Sequence, residues 1–144
     1  MSSTFIPAAG ETVRRWHVID AADQPVGRVA SLAAKLLQGK HKASYTPFLD
    51  TGDHVIVVNV AKAKLTGKKE EQKLYRYHSG YDGGLRIERA KEVRARHPRR
   101  LMEEAVRGML PKSKLGDQMY RKLNVYEGGE HPHVAQGPTK IEVA

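Results

Sequence analysis

Residues 54–60 read HVIVVNV, and five of these seven side chains are β-branched. Branching at Cβ stiffens χ1 and favours extended backbone. The run has no polar–apolar alternation, so it offers no wet face. A strand of this kind is covered on both sides, as strands of a parallel sheet are. Upstream, Trp16, Val18 and Ile19 form a second short strand ending at Asp20. Ala21 to Gln24 make a turn, and Pro25 stands where a first helical position falls. Val26, Val29, Ala30, Ala33, Leu36 and Leu37 then share one helical face, closed by Gly39. Strand, helix and strand in succession predict a right-handed βαβ unit.

Downstream, Lys62 to Lys69 is a polar turn around Gly67, and residues 73–78 alternate Leu74 with Tyr75 and Tyr77. Gly80, Gly83 and Gly84 break the chain. Two helices are expected near 87–96 and 99–109, divided by His97-Pro98. The second would bury Leu101, Met102, Ala105, Val106 and Met109, and Pro111 would end it. A shorter helix at 113–121 leads into a strand from Leu123 to Tyr126. The organisation predicted is an N-terminal arm over 1–13, one α/β domain over 14–126, and an extended C-terminal tail over 127–144. That tail holds three glycines and two prolines and offers little core.

The chain has 144 residues, a length suited to one core. No apolar run approaches the roughly 18 residues of a membrane span, and residues 1–13 lack the charged and apolar regions of a leader peptide. Zero cysteines exclude disulfides and thiolate metal sites, and fit a reducing compartment. The net charge is +9, from 25 Lys and Arg against 16 Asp and Glu. Such a balance points to a polyanionic partner, above all nucleic acid. Between Arg86 and Lys122, twelve basic residues meet five acidic ones, so +7 of the +9 falls in 37 residues.

Two motifs imitate enzymes. Asp50-Thr51-Gly52 spells the tripeptide of aspartic proteases, which need two carboxylates sharing a proton. Only one such tripeptide is present, and Lys40, His41 and Lys42 beside it would keep its carboxylate ionised. Gly39-Lys40 resembles the end of a phosphate loop, but it closes a helix where a phosphate loop opens one. His131-Pro132-His133 with Glu130 lacks a third metal ligand at a helical spacing, and no serine has a nucleophile-elbow setting. An α/β enzyme on a phosphorylated substrate would need a pair of perturbed titratable groups, and none stands out. A DNA-binding helix-turn-helix over 87–109 would place proline badly for a recognition helix. What remains is a basic surface interleaved with flat side chains: Lys40, His41 and Lys42 beside Tyr45, and Arg76 and His78 among Tyr75, Tyr77 and Tyr81. Cations suit phosphates, and aromatic or guanidinium planes suit unpaired bases.

Several of these stretches, taken together, resemble the bacterial large-subunit ribosomal protein L-thirteen family. They are Trp16 to Asp20, Pro25-Val26-Gly27-Arg28, Gly39-Lys40-His41-Lys42 with Tyr45-Thr46-Pro47, Asp50-Thr51-Gly52-Asp53, His78-Ser79-Gly80-Tyr81 with Gly83-Gly84-Leu85, Val106 to Gly116, Val125-Tyr126, and Glu130-His131-Pro132-His133. The likeness runs in order over about residues 14–136, with Asp82 and Asp117 departing from the usual pattern. It implies a three-layer α/β core with a mostly parallel, roughly four-stranded sheet flanked by helices, plus basic loops and terminal extensions. It further implies 23S ribosomal RNA and neighbouring large-subunit proteins as partners, an early role in subunit assembly in the cytoplasm, and no catalysis, cofactor, metal or small-molecule substrate. The side chains expected to meet RNA are Lys40, His41, Lys42, Tyr45, Lys68, Lys69, Arg76, His78, Arg94, Arg96, Arg99, Arg100, Lys112 and Lys114. Asp50 would be a plain turn residue whose replacement by Asn costs little.

Overall fold

The computed structural model describes residues 4–8 and 10–144. Of the arm expected over 1–13, residues 1–3 and 9 lie outside the described residues. The β-branched run forms strand β2 (His54–Val58), with Val55 to Val58 buried. It pairs in parallel with β1 (Trp16–Asp20) on one side, in the register Val18 opposite Ile56. Helix α1 (Val26–Gln38) connects the two strands, so the expected strand–helix–strand unit is present. Its apolar face is Val26, Val29, Ala30, Ala33, Leu36 and Leu37, all buried. Each fully buried Val or Leu contributes about 1.5–3 kcal/mol.

The sheet takes its other strands from the C-terminal part of the chain. Strand β5 (Leu123–Val125) pairs in parallel with β2, and β6 (Thr139–Ile141) pairs in parallel with β1. Numbering the strands in chain order, the sheet reads β5-β2-β1-β6. This is an α/β fold with a parallel four-stranded sheet flanked by helices. The fourth strand corrects the reading of 127–144 as a tail with little core, because Ile141 and Val143 pack against the main core. The strand was hidden because it has three residues, Gly137 and Pro138 precede it, and an edge position asks for little apolar surface.

A second difference lies at 85–89, where a helix was expected from 87 onward. Strand β3 (Leu74–His78) and strand β4 (Leu85–Arg89) form a two-stranded antiparallel ribbon joined by a Gly-rich turn. Helix α3 (Ala90–Arg96) starts only afterwards, where the Glu92 carboxylate accepts the Arg89 N–H at 3.1 Å. An isolated ribbon is marginal in water and needs a packed face. Tyr75 supplies it, joining Ala90, Val93 and Leu101 in a small second core. Helix α4 (Pro98–Met109) buries Leu101, Met102 and Val106, as expected. Met109, however, is 43% exposed, and Leu110 goes inward in its place. The helix ends at Met109, and the extended conformation of Leu110 changes the direction of the next side chain. The remaining α-helices are the one-turn α2 (Lys69–Gln72) and α5 (Lys114–Tyr120).

Candidate nucleic-acid interface

The basic loop at 39–53 is built around the end of α1. Gly39 adopts φ 81°, the left-handed conformation that ends a helix, and its N–H donates to Leu36 O at 3.1 Å. The chain then loops out through Lys40 and Tyr45 and returns as Asp50-Thr51-Gly52-Asp53 against the same helix end. Asp53 N–H donates to Leu36 O at 3.1 Å. A Cβ placed on Gly52 would stand 1.7 Å from Leu37 O, so no other residue fits there without moving the helix. The protease-like tripeptide is therefore a seat for the last turn of α1.

The carboxylates of Asp50 and of the adjoining Asp53 are both occupied. Asp50 Oδ1 lies 2.5 Å from Lys122 Nζ, with the two side chains 11% and 7% exposed. Lys122 also donates to Leu37 O at 3.4 Å, and Arg14 approaches Asp50 at 3.7 Å. Burial pushes the Lys122 ammonium below the ordinary lysine value, while the carboxylate of Asp50 opposes that shift. This corrects the expectation for Asp50, which is half of a buried ion pair and not a tolerant turn residue.

Asp53 is fully buried. Its Oδ2 accepts from His17 Nε2 and from His41 Nε2, each at 2.8 Å, and its Oδ1 meets Lys42 Nζ at 2.5 Å and the Arg15 N–H at 3.0 Å. Burial alone would raise this carboxyl, but Lys42, the Arg15 N–H and the two imidazoles outweigh it and hold Asp53 well below the usual carboxylate range. His17, His41 and Asp53 present donor atoms within 4.8 Å of one another, a spacing suited to a metal ion. The rest of the donor set does not suit one. The Lys42 ammonium already neutralises the carboxylate, and His17 Nδ1 is buried without the second partner that orients a metal-bound imidazole. The cluster reads instead as a hydrogen-bonded lock between β1, the basic loop and β2.

Of the fourteen side chains expected at RNA, several are engaged internally. Lys42 is held by Val13 O, Thr51 O and Asp53. Arg94 donates to Ala61 O, Ala63 O and the Glu70 carboxylate at 3.2, 2.8 and 2.6 Å, tying α3 to the segment before α2. Arg100 lies over the Tyr77 ring at 4.3 Å and donates to Glu104 at 2.8 Å, while Tyr77 Oη donates to the same carboxylate oxygen. Arg96 meets Glu88 at 2.8 Å, and Arg99 meets Glu127 more loosely at 3.6 Å. Lys112 Nζ donates to the carbonyls of Arg107, Gly108 and Leu110, capping the C-terminus of α4. His78 Nδ1 accepts from the Gly80 N–H within its own turn.

The other expected side chains face outward. Lys40, Lys68, Lys69, Arg76 and Lys114 are exposed, and among the described residues none has a carboxylate partner. Tyr45 is 38% exposed beside Lys40 and His41. Arg107, outside the expected set, is exposed and lines with Lys112, Lys114 and Tyr120 a cleft of about 390 Å³ at the α4–α5 turn. Its guanidinium lies 5.8 Å from the Tyr120 ring centroid. The sequence signal for it was the Val106-Arg107-Gly108 continuation of the α4 apolar stripe, which sets residue 107 on the outer face. A stack of Trp16 on His54 at 4.3 Å and on His133 at 5.0 Å was also not foreseen, because its three rings come from distant segments.

The chain is similar to known proteins along nearly its full length. The sequence profile of the family described as Ribosomal protein L13 matches residues 14–132. A protein of Solibacter usitatus named Large ribosomal subunit protein uL13 is 57% identical over 141 residues, covering 98% of this chain and 99% of that one. Proteins of the same name from Heliobacterium modesticaldum and Geobacillus kaustophilus are 57% identical over 136 residues and 52% identical over 143, covering 94% and 99% of each chain respectively. With the family pattern spanning β1 to the segment after β5, the chain belongs to the ribosomal protein L13 family.

Proposed function

We propose that this chain binds 23S ribosomal RNA in the large ribosomal subunit and helps that subunit to assemble early, in the cytoplasm. Its role within a ribosomal-protein family is structural and not enzymatic. The observation that carries the RNA reading is a group of exposed cations without carboxylate partners among the described residues: Lys40, Lys68, Lys69 and Lys114. RNA segments repel one another when brought together. Fixed cations on a rigid fold replace diffuse counterions and release them, which makes association favourable and salt-dependent. Lys supplies point charges, and Arg supplies a planar fork for two phosphate oxygens. Arg107, Lys112 and Lys114 form one cationic rim, and Lys40 with Tyr45 forms another beside the lock at Asp53.

The test is binding of the purified chain to a 23S RNA fragment across a salt series. Affinity should fall by about 0.7 to 0.9 log units per log unit of salt for each phosphate neutralised. Replacing Lys40, Lys68, Lys69 and Lys114 by Ala should leave the unfolding midpoint unchanged and make that slope shallower. A salt-independent affinity, or an unaltered slope in the fourfold variant, would refute the proposal.

A further inference from the structure

The β3–β4 ribbon stands apart from the main sheet, and its two faces differ. The register sets Leu74 opposite Arg89, Arg76 opposite Ile87, and His78 opposite Leu85. Because side chains alternate along a strand, these six share one face, and all six are exposed. The other face carries Tyr75 and Tyr77 against α3 and α4. On the outer face Leu74, Leu85 and Ile87 are 38%, 54% and 51% exposed, and Tyr81 at the turn is 81% exposed. Single exposed leucines are ordinary, but three aliphatic side chains on one ribbon face form a patch that marks a contact. The charged residues of the face, Arg76 and Arg89, are both cations without an ion-pair partner among the described residues.

We propose that this face is a docking surface for a neighbouring protein of the large subunit, through a segment whose apolar side chains alternate with carboxylates. Residence in the large subunit is taken from the function proposed above. The choice of protein over RNA follows from the pattern. Phosphates would satisfy the two arginines but leave the three aliphatic side chains wet, whereas an apolar and acidic segment covers both kinds of group. The two-stranded ribbon also leaves a free edge on each strand, to which an extended segment can add backbone hydrogen bonds.

The absence of cysteine makes a single introduced thiol a specific handle. Leu74→Cys carrying a benzophenone label keeps the position apolar, and Lys35→Cys with the same label, at an exposed position of α1, is the control. Each labelled chain is incorporated into large subunits and irradiated, and its adducts are sequenced. The label at 74, and not at 35, should join a ribosomal protein at a peptide with Asp or Glu beside apolar residues. Adding Arg76→Glu and Arg89→Glu should reduce that adduct roughly tenfold, as reversal of complementary charge predicts. Both arginines are exposed, so the doubly reversed chain should keep its unfolding midpoint. Adducts with RNA only, no adduct at 74, or a protein adduct insensitive to the charge reversal would each overturn the proposal. Adducts are read only on chains recovered in large subunits, so failure of RNA binding appears as lost incorporation and the two proposals fail separately.

Discussion

Asp53→Asn is the substitution that most directly tests the lock beneath the basic loop. The change is isosteric, so its cost is electrostatic and not steric. The carboxylate receives four groups: the Lys42 ammonium, the Arg15 N–H and the Nε2 atoms of His17 and His41. An amide oxygen can keep Lys42 and Arg15, without the charge that balances a mostly covered ammonium. The amide nitrogen then faces both imidazoles as a donor. To accept from it, His17 would have to move its hydrogen to Nδ1, which is buried with no partner. Breaking a buried charge pair and orphaning a buried N–H leads to an expected loss of about 3–5 kcal/mol. For a chain of this size that is a fall of roughly 10–15 °C in the unfolding midpoint at neutral pH.

The pH dependence supplies a second readout. The folded pKa of Asp53 lies below its unfolded value of about 3.8. The stability it contributes is therefore complete above that value and is lost as pH falls through it toward the folded pKa. The gap between the parent chain and Asp53→Asn should be about the amount above at pH 7 and should narrow below about pH 4. Thermal unfolding followed by circular dichroism across that range measures both. A midpoint shift under about 3 °C at pH 7, or a gap that fails to narrow below about pH 4, would refute the reasoning.

Asp50→Asn should cost about 3 kcal/mol in urea unfolding, because it leaves the Lys122 ammonium buried beside a neutral amide. Combining it with Lys122→Met should recover much of that loss, and a cost below about 0.5 kcal/mol for the single change would restore the view of Asp50 as a simple turn. Gly52→Ala should prevent stable folding, since its Cβ would collide with Leu37 O. Gly108→Ala, in the exposed face of α4 with open space around it, should instead stabilise by about 0.5–1 kcal/mol, and equal unfolding midpoints for the two variants would refute the seat drawn for α1.

The parts of the fold that were legible are those with a strong period or a long apolar run. The unbroken β-branched run announced β2 and its burial, and the apolar positions of α1 and α4 gave two helices with correct inner faces apart from Met109. The ribbon was half legible. Alternation marked β3, but Leu85 and Ile87 are exposed on β4, so no buried face signalled a strand there. Strand β6 gave still less, because three residues at a sheet edge leave almost no pattern. The lock at Asp53 could not be read, since its partners stand 36 and 12 residues away in sequence and their types alone suggest a solvated basic loop.

The charge of residues 86–122 shows why a count along the chain misplaces a surface. The linear excess of seven cations is real, yet folding brings acids to it from elsewhere: Glu70 to Arg94, Glu127 to Arg99 and Asp50 to Lys122. These three lower the local excess from seven to four. Ion pairing leaves the net +9 of the sequence untouched, so most of it falls on cations without a partner among the described residues. Folding thereby takes Arg94, Arg99 and Lys122 out of the free excess and leaves exposed cations such as Lys40, Lys68, Lys69, Arg76, Arg107 and Lys114 without a carboxylate among the described residues. Arginines of α3 and α4 hold helices and ribbon together, and that rigidity matters in turn. Cations displayed on a fixed scaffold lose less freedom on meeting a polyanion than cations on a loose segment do. Folding thus uses part of the basic sequence to hold the rest in place.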